Sequence, residues 1–443
     1  MDGIPAPQLA PGRSGHVAVF TFPAYAHIAP ALPTLTELVR RGHRVTCFVV
    51  ERFAEKVRAA GVEAVVYESS FPWADGPTGS VLENMLDFFE EALAPLSAAV
   101  AHLEHDRPDL IAHDLAASEA ARMLARGWDV PVLQLCPTIA SSPEFSMSER
   151  QGREASPPAD PIDPHHPAIT DFLERRQQLL DRLGLRDVPL DGFGGEHGDN
   201  LVFLPKAFQI APETFDDDRF AFVGPCLEGP APVTDDQEVS WRPPDDGRDV
   251  VLLSLGSSYT PGQGAFLRSC VEELAGSPWR VVVTLGHRVA VEELGPLPPN
   301  VEAHQWLRYP DVLRHAVAFV THAGMGSLME SLTFGVPVVL VPYHVDQRVI
   351  ATRAAELGLG RVLYRETTGP GALPAAIEEV AYGDRTRTAV AEMRGHIEKA
   401  GGAQRGADFV ESLMAPATPT DPAAPDSPAD RPTTPDRTAE QRK

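Results

Sequence analysis

His322-Ala323-Gly324-Met325-Gly326-Ser327, followed by Glu330, is the stretch of this sequence whose residue types and spacing best suit chemistry. The apolar run 317–321 before it reads as a short buried strand, and 325–334 after it reads as a helix. A strand, a tight glycine-containing turn and a helix start make an anion site, because the first-turn N–H groups lack partners and the helix dipole is positive there. His322, Gly324, Gly326 and Ser327 would offer imidazole, N–H and hydroxyl donors to a diphosphate. An ordinary strand-to-helix turn capped by Ser uses the same residues. A second glycine-serine turn, Gly256-Ser257-Ser258, could close Ser257 on the same phosphates. Neither turn matches a Walker loop or the G-x-G-x-x-G fingerprint, which disfavours ATP and nicotinamide.

Glu330 lies where a carboxylate could accept both hydroxyls of a ribose; a solvated helix face explains it equally. Trp306, at the end of the strand 301–306, could stack on a nucleobase or belong to the core. Asp346-Gln347 opens the next helix and could cap it or hydrogen-bond a sugar.

A second set of reactive residues lies far upstream. His27 follows the strand 16–22, where an imidazole could take a proton from a substrate hydroxyl. Asp114 falls just past the strand 109–113 and could hold the other ring nitrogen, fixing the tautomer. Position alone leaves open a purely structural His27.

Both sets need strands that end side by side. Strands at 16–22, 44–50, 62–67, 109–113 and 131–135 alternate with helical stretches at 28–41, 53–60 and 80–105, which predicts a parallel sheet with helices on both faces. The segments 200–209 and 220–225 read as its last strands. From 141 to 166 Pro, Asp, Glu and Ser dominate, which reads as a loop or lid, and 172–185 is helical again. The pattern restarts at 250 with strands at 280–286, 301–306, 317–321 and 336–342, interleaved with helices at 264–274, 311–315 and 346–357. Helical spacing then covers 368–401 and 403–414. The expected division is a flexible start 1–15, a first Rossmann-like domain 16–227, a linker 228–248, a second Rossmann-like domain 249–400, a crossing helix 401–414 and a disordered tail 415–443.

The 443 residues suit two domains, and 43% hydrophobic with 23% charged residues is the balance of a soluble globular protein. A net charge of -24 argues against nucleic acid or an anionic membrane as partner. Cys47, Cys136, Cys226 and Cys270 are scattered without metal or disulfide spacing, so buried thiols in a reducing cytoplasm are expected. The sequence shows no secretory signal pattern and no apolar run of membrane-spanning length, so a cytoplasmic protein is expected.

Across 16–414 the chain resembles an actinobacterial macrolide glycosyltransferase of the family 1 nucleotide-sugar transferases, which have the GT-B fold. The resemblance is carried by Ala26-His27-Ile28-Ala29-Pro30, Asp109-Leu110-Ile111-Ala112-His113-Asp114, Leu255-Gly256-Ser257, His304-Gln305-Trp306, Thr321 to Glu330, and Asp346-Gln347. It implies that His27 is the general base and Asp114 its partner, and that Trp306 stacks on uracil. It further implies that His322 and Ser327 bind the diphosphate, Glu330 the ribose, and Asp346 with Gln347 the sugar hydroxyls. Inversion without a metal is implied too, with UDP-sugar as a co-substrate, glucose as the expected sugar, and no cofactor. Where the family usually has Gly and Asn around the histidine, this chain has Ala26 and Ala29. Arg308-Tyr309 replaces the usual Pro-Gln, and Ile350 stands where many relatives carry Asn.

The acceptor is expected to be a small hydrophobic molecule, a macrolide, polyketide or phenolic, with Phe71, Trp73, Phe88 and Phe89 as candidate wall residues; an amphipathic helix accounts for them as well. Competing readings are transfer from a dTDP-deoxysugar, a sugar-nucleotide epimerase or hydrolase, and a non-catalytic partner subunit of another transferase. The expected assembly is a monomer or a homodimer.

Overall fold

The structure of the protein is a computed structural model that describes residues 14–71, 80–154, 163–185, 198–227, 241–256, 262–286, 288–365, 369 and 371–414. Most of 1–15 and of 228–248, and all of 415–443, lie outside the described residues.

Uninterrupted apolar runs such as His16–Phe20 (β1) form strands buried on both faces, as parallel sheets require. β1 is joined by Arg44–Val49 (β2), Glu63–Val66 (β3), Leu110–Asp114 (β4), Val132–Cys136 (β5), Asp199–Val202 (β6) and Phe220–Phe222 (β7) in one sheet ordered β3-β2-β1-β4-β5-β6-β7. A second sheet, ordered β10-β9-β8-β11-β12-β13, is built from Val250–Ser254 (β8), Arg280–Thr284 (β9), Val301–His304 (β10), Ala316–Thr321 (β11), Val338–Leu340 (β12) and Gly360–Val362 (β13). All ladders are parallel. In each sheet the strand order reverses at the centre, between β1 and β4 and between β8 and β11. The crevice outside the carboxyl ends of those strands is where open α/β sheets bind ligands.

The Gly402–Met414 helix belongs to the first sheet's core: Ala407, Val410 and Met414 pack with Val17, Leu35 and Leu38. It lies so close to the Leu32–Arg40 helix that a Cβ on Gly406 would be 2.8 Å from Thr34 Oγ1. Arg41 fastens the contact by donating to Asp408 at 2.6 Å and Glu411 at 2.9 Å. The two halves also share a core in which Phe208, Phe215 and Phe222 meet Val312, Phe319 and Val349. Arg353, from the second half, donates to the carbonyls of Phe208 at 3.0 Å and Gln209 at 2.8 Å.

Several elements differ from the sequence expectation, three of them at proline. The helix expected over 80–105 is two, Val81–Leu93 and Leu96–Leu103, because Pro95 has no N–H to continue the ladder. The helix expected over 28–41 divides likewise at Pro30 into Tyr25–Ile28 and Leu32–Arg40, so His27 lies within a helical turn rather than before one. The strand expected over 200–209 stops at Val202, and a 3₁₀ turn, Lys206–Phe208, follows Pro205. The supposed loop 141–166 contains the Met147–Glu154 helix. Helix 368–401 is interrupted by Gly383, which is extended (φ -71°, ψ 120°), and β13 had no counterpart in the sequence reading.

Among the described residues no helix is long and apolar enough to cross a membrane. The four cysteines are buried and unpaired, and burial pushes the thiols of Cys47, Cys136 and Cys270 up to about 12.

Candidate active site

β1 and β4 are neighbours in register, so the segments leaving them emerge together. His27 is carried by the turn after β1, and Asp114 is the last residue of β4. Both carboxylate oxygens of Asp114 lie within reach of His27 Nδ1, at 2.9 and 3.0 Å. Asp114 Oδ1 also accepts from the Ala116 backbone N–H at 2.8 Å, which fixes the carboxylate. Asp114 is 1% exposed, whereas the His27 side chain keeps 27% of its surface open. With Nδ1–H directed at Asp114, Nε2 keeps its lone pair for an incoming proton. Burial works to lower the His27 pKa, but the charge of Asp114, its hydrogen bond and the charge of Asp346 outweigh it and hold the pKa above 6.5.

In the second sheet β8 and β11 are likewise neighbours, and the turns after them meet around His322. The imidazole is wedged between two backbones: a Cβ on Gly256 would be 2.4 Å from its ring and one on Gly324 would be 2.5 Å away. Gly256 also has φ +76°, so the slot depends on glycine at both walls. Ala323 between His322 and Gly324 sits in the left-handed region at φ 68°, which turns the chain sharply into the Met325–Thr333 helix. Burial, then the positive charges of His344 and Arg365, lower the His322 pKa to about 4. The ring is therefore neutral near pH 7, and its contribution to an anion is a hydrogen bond rather than a charge. Nδ1 is buried with no hydrogen-bond partner among the described residues, so we assign the proton to Nε2.

Gly324 is the N-cap, with extended backbone, and Gly326 and Ser327 lie in the helix's first turn, whose N–H groups have no intrahelical partners. Glu330 lies further along the same helix, and its charge acts on Tyr309. Trp306 lies two residues beyond the end of β10 and is 46% exposed, so it stands clear of the core. Asp346 is exposed in the first turn of the Val345–Glu356 helix. Gln347 Oε1 accepts from the N–H groups of Tyr343 at 2.9 Å and His344 at 3.1 Å, so this oxygen caps the helix and only the amide nitrogen remains for a ligand. Ser257 and Trp73 lie outside the described residues.

Of the candidate acceptor residues, Phe71 and Phe88 pack around Phe22 next to His27. Phe89 does not. One position further along the helix is a rotation of about 100°, and the ring packs on Phe172 at 5.9 Å in a different core.

Sequence reasoning missed Phe22, Tyr309 and Arg365. Tyr309 ties into the ends of two strands, β8 and β9. Its hydroxyl lies 2.6 Å from Ser254 Oγ, which accepts from Thr284 Oγ1 at 2.6 Å and from Gly256 N at 3.3 Å. The available signal was its departure from the family's usual Gln. Arg365 sits over the Phe266 ring at 4.0 Å and is a positive charge acting on His322; nothing in its local sequence marked it. Among the described residues no group of three or more His, Cys, Asp or Glu could hold a metal ion.

Two parallel α/β sheets with reactive groups at their switch points define a GT-B glycosyltransferase, and the comparisons with known proteins agree. Residues 269–400 match the family model described as the C-terminal domain of erythromycin biosynthesis protein CIII-like proteins. The chain is 35% identical to the demethyllactenocin mycarosyltransferase of Streptomyces fradiae, over 93% of this chain and 89% of the relative. It is 34% identical to the oleandomycin glycosyltransferase of Streptomyces antibioticus, over 90% and 91%. The solved structure of the calicheamicin glycosyltransferase CalG4 superposes with a TM-score of 0.76 at 35% identity, covering 91% of this chain and 98% of that one. The chain belongs to the macrolide glycosyltransferases of the GT-B fold.

Proposed function

We propose that the protein transfers a sugar, with glucose the expected one, from its UDP conjugate to a hydroxyl of a hydrophobic natural product, with inversion and without a metal. The observation that carries this reading is the contact of His27 Nδ1 with both Asp114 oxygens, at the strand ends that face the donor-side turns. As the acceptor oxygen attacks the anomeric carbon, its proton passes to His27 Nε2. The bond from that carbon to the β-phosphate oxygen breaks on the opposite face, and the electron pair leaves with UDP. Asp114 stabilises the imidazolium as it forms. On the donor side, Trp306 stacks on the uracil, Glu330 accepts from the ribose, and Asp346 and the Gln347 amide meet the sugar. The helix start at Gly324, Gly326 and Ser327, with His322, stabilises the departing diphosphate by oriented dipoles and a neutral N–H.

The decisive test is His27→Ala. Transfer should fall roughly 10²- to 10⁴-fold while the donor binds normally; full transfer to an alcohol acceptor with normal donor binding would overturn the assignment. Metal independence is checked by exhaustive chelation, which should leave the rate unchanged.

A second donor reading, a dTDP-linked deoxysugar, is favoured by one observation: a relative covering nearly the whole chain is named for transfer of a mycarosyl group. Trp306 would stack on thymine as well as on uracil. Side-by-side transfer assays with UDP-glucose and dTDP-sugars separate the two.

A further inference from the structure

Beside the His27–Asp114 pair lies a small apolar cluster, distinct from the four larger cores, formed by Phe22, Ala116 and Ala117 with Phe71 and Phe88 packed against it. Phe22 lies 5.2 Å from the His27 ring and stacks on Phe88 at 5.2 Å. Phe71 meets Phe22 edge-on at 5.3 Å and Phe88 at 4.9 Å. Phe22 is buried, whereas Phe71 and Phe88 are half-buried.

Phe88 is set by its helix, but Phe71 belongs to an irregular segment after β3. Glu91 holds that segment. It is three residues beyond Phe88 on the Val81–Leu93 helix, hence on the same side, and is 2% exposed. Its carboxylate accepts from Tyr67 Oη at 2.8 Å, Ser69 Oγ at 2.7 Å, Ser70 N at 3.1 Å and Phe71 N at 3.1 Å. A buried carboxyl group is costly unless its lone pairs are satisfied, and here one group gathers four donors from consecutive or nearly consecutive residues. An apolar side chain at this position would pack, but would leave the 67–71 segment unfastened.

We propose that Glu91 is a positioning residue for the acceptor: it pins Phe71 against Phe22 and Phe88, and the resulting wall selects acceptors that carry an aromatic ring next to the reacting hydroxyl. Phe71 and Phe88 are each partly exposed and meet edge-on, and aromatic rings attract a further ring beyond its buried area. A saturated ring of the same outline gains burial but not this term. The inference rests on His27 being the base that receives the acceptor proton.

The test uses the full-length protein with 2-naphthalenemethanol and its decahydro analogue, two primary alcohols of similar outline. Transfer from UDP-glucose and equilibrium binding of each alcohol are measured for the wild type, Phe88→Leu and Glu91→Gln. The wild type should prefer the aromatic alcohol roughly tenfold in both measurements. Phe88→Leu, which keeps an apolar side chain, should bring that preference close to one. Glu91→Gln replaces an acceptor oxygen with an N–H₂ facing donors. It should raise the aromatic acceptor's KM at least fivefold with kcat and donor affinity within about twofold. Equal binding of the two alcohols by the wild type, or a preference untouched by Phe88→Leu, overturns the proposal. So does a Glu91→Gln loss confined to kcat or to donor affinity. If no sugar reaches either alcohol, the reading of UDP-glucose as donor to such alcohols fails, and the binding preference still decides the wall.

Discussion

The carboxylate of Asp346, in the second half of the chain, raises the pKa of His27 in the first. The two residues therefore lie close enough for their charges to interact. The residue proposed to meet the donor sugar thereby also tunes the residue proposed as the base.

One consequence is a pH profile. His27 accepts a proton only when neutral, and its pKa lies above 6.5, so kcat/KM for the acceptor should rise with pH through an apparent pKa above 6.5. Asp346→Asn removes a charge that favours the imidazolium and should move the profile to lower pH. Rate measurements from pH 5.5 to 9 on both proteins check the direction; a shift upward would contradict it.

Asp114→Asn should act through the tautomer. If the Asn oxygen keeps its bond from Ala116 N, the amide N–H₂ faces His27 Nδ1, which must then accept, and the ring proton moves to Nε2. Nε2 can no longer take the acceptor's proton. Transfer should fall roughly 10²- to 10⁴-fold at saturating donor, with donor affinity unchanged by calorimetry.

The slot around His322 makes a steric prediction. In Gly324→Ala the new Cβ would be 2.5 Å from Nε2, so the imidazole must leave its place. Donor binding should weaken by about 10-fold or more, the usual worth of a hydrogen bond to a charged group. Titration of the donor nucleotide into the variant measures this directly.

The same imidazole sets an acid limit on stability. In the unfolded chain it protonates near 6.5, but in the folded protein only near 4. Below 6.5 the unfolded state therefore binds more protons, and stability should fall as pH drops from 6.5 towards 4. His322→Gln, which cannot titrate, should show a shallower loss in urea unfolding between pH 7 and pH 5.

Tyr309→Phe keeps the ring packed on Phe319 at 5.3 Å but removes the hydroxyl that reaches Ser254. The donor KM should rise roughly 3- to 10-fold, in line with about 1 kcal/mol for one hydrogen bond, while kcat stays within about twofold. A lower melting temperature with an unchanged donor KM would make Tyr309 purely structural.

The strand-helix alternation was legible because buried parallel strands are long apolar runs, and it placed His27 and Asp114 at carboxyl ends of strands on the same side of the sheet; that the two strands are neighbours came from the structure. Helix breaks were less legible. The apolar period runs straight through Pro95, and only the missing N–H divides the element. Phe88 and Phe89 could not be told apart by composition, since adjacent helix positions point in different directions. Glu91 was invisible for a different reason. Its partners come from a segment without period, and a carboxyl group among apolar residues reads as the polar face of an amphipathic helix until those donors are seen.

The helix Gly402–Met414 contributes Ala407, Val410 and Met414 to the core of the N-terminal sheet. A ribosome releases these residues long after the strands they cover. The half of the protein made first therefore waits, with an apolar strip uncovered, until residues 402–414 have followed the whole second sheet, and the order of translation is not the order of completion. Nascent chains ending before residue 402 should expose that strip to chaperones, whereas chains that include residue 414 should close it.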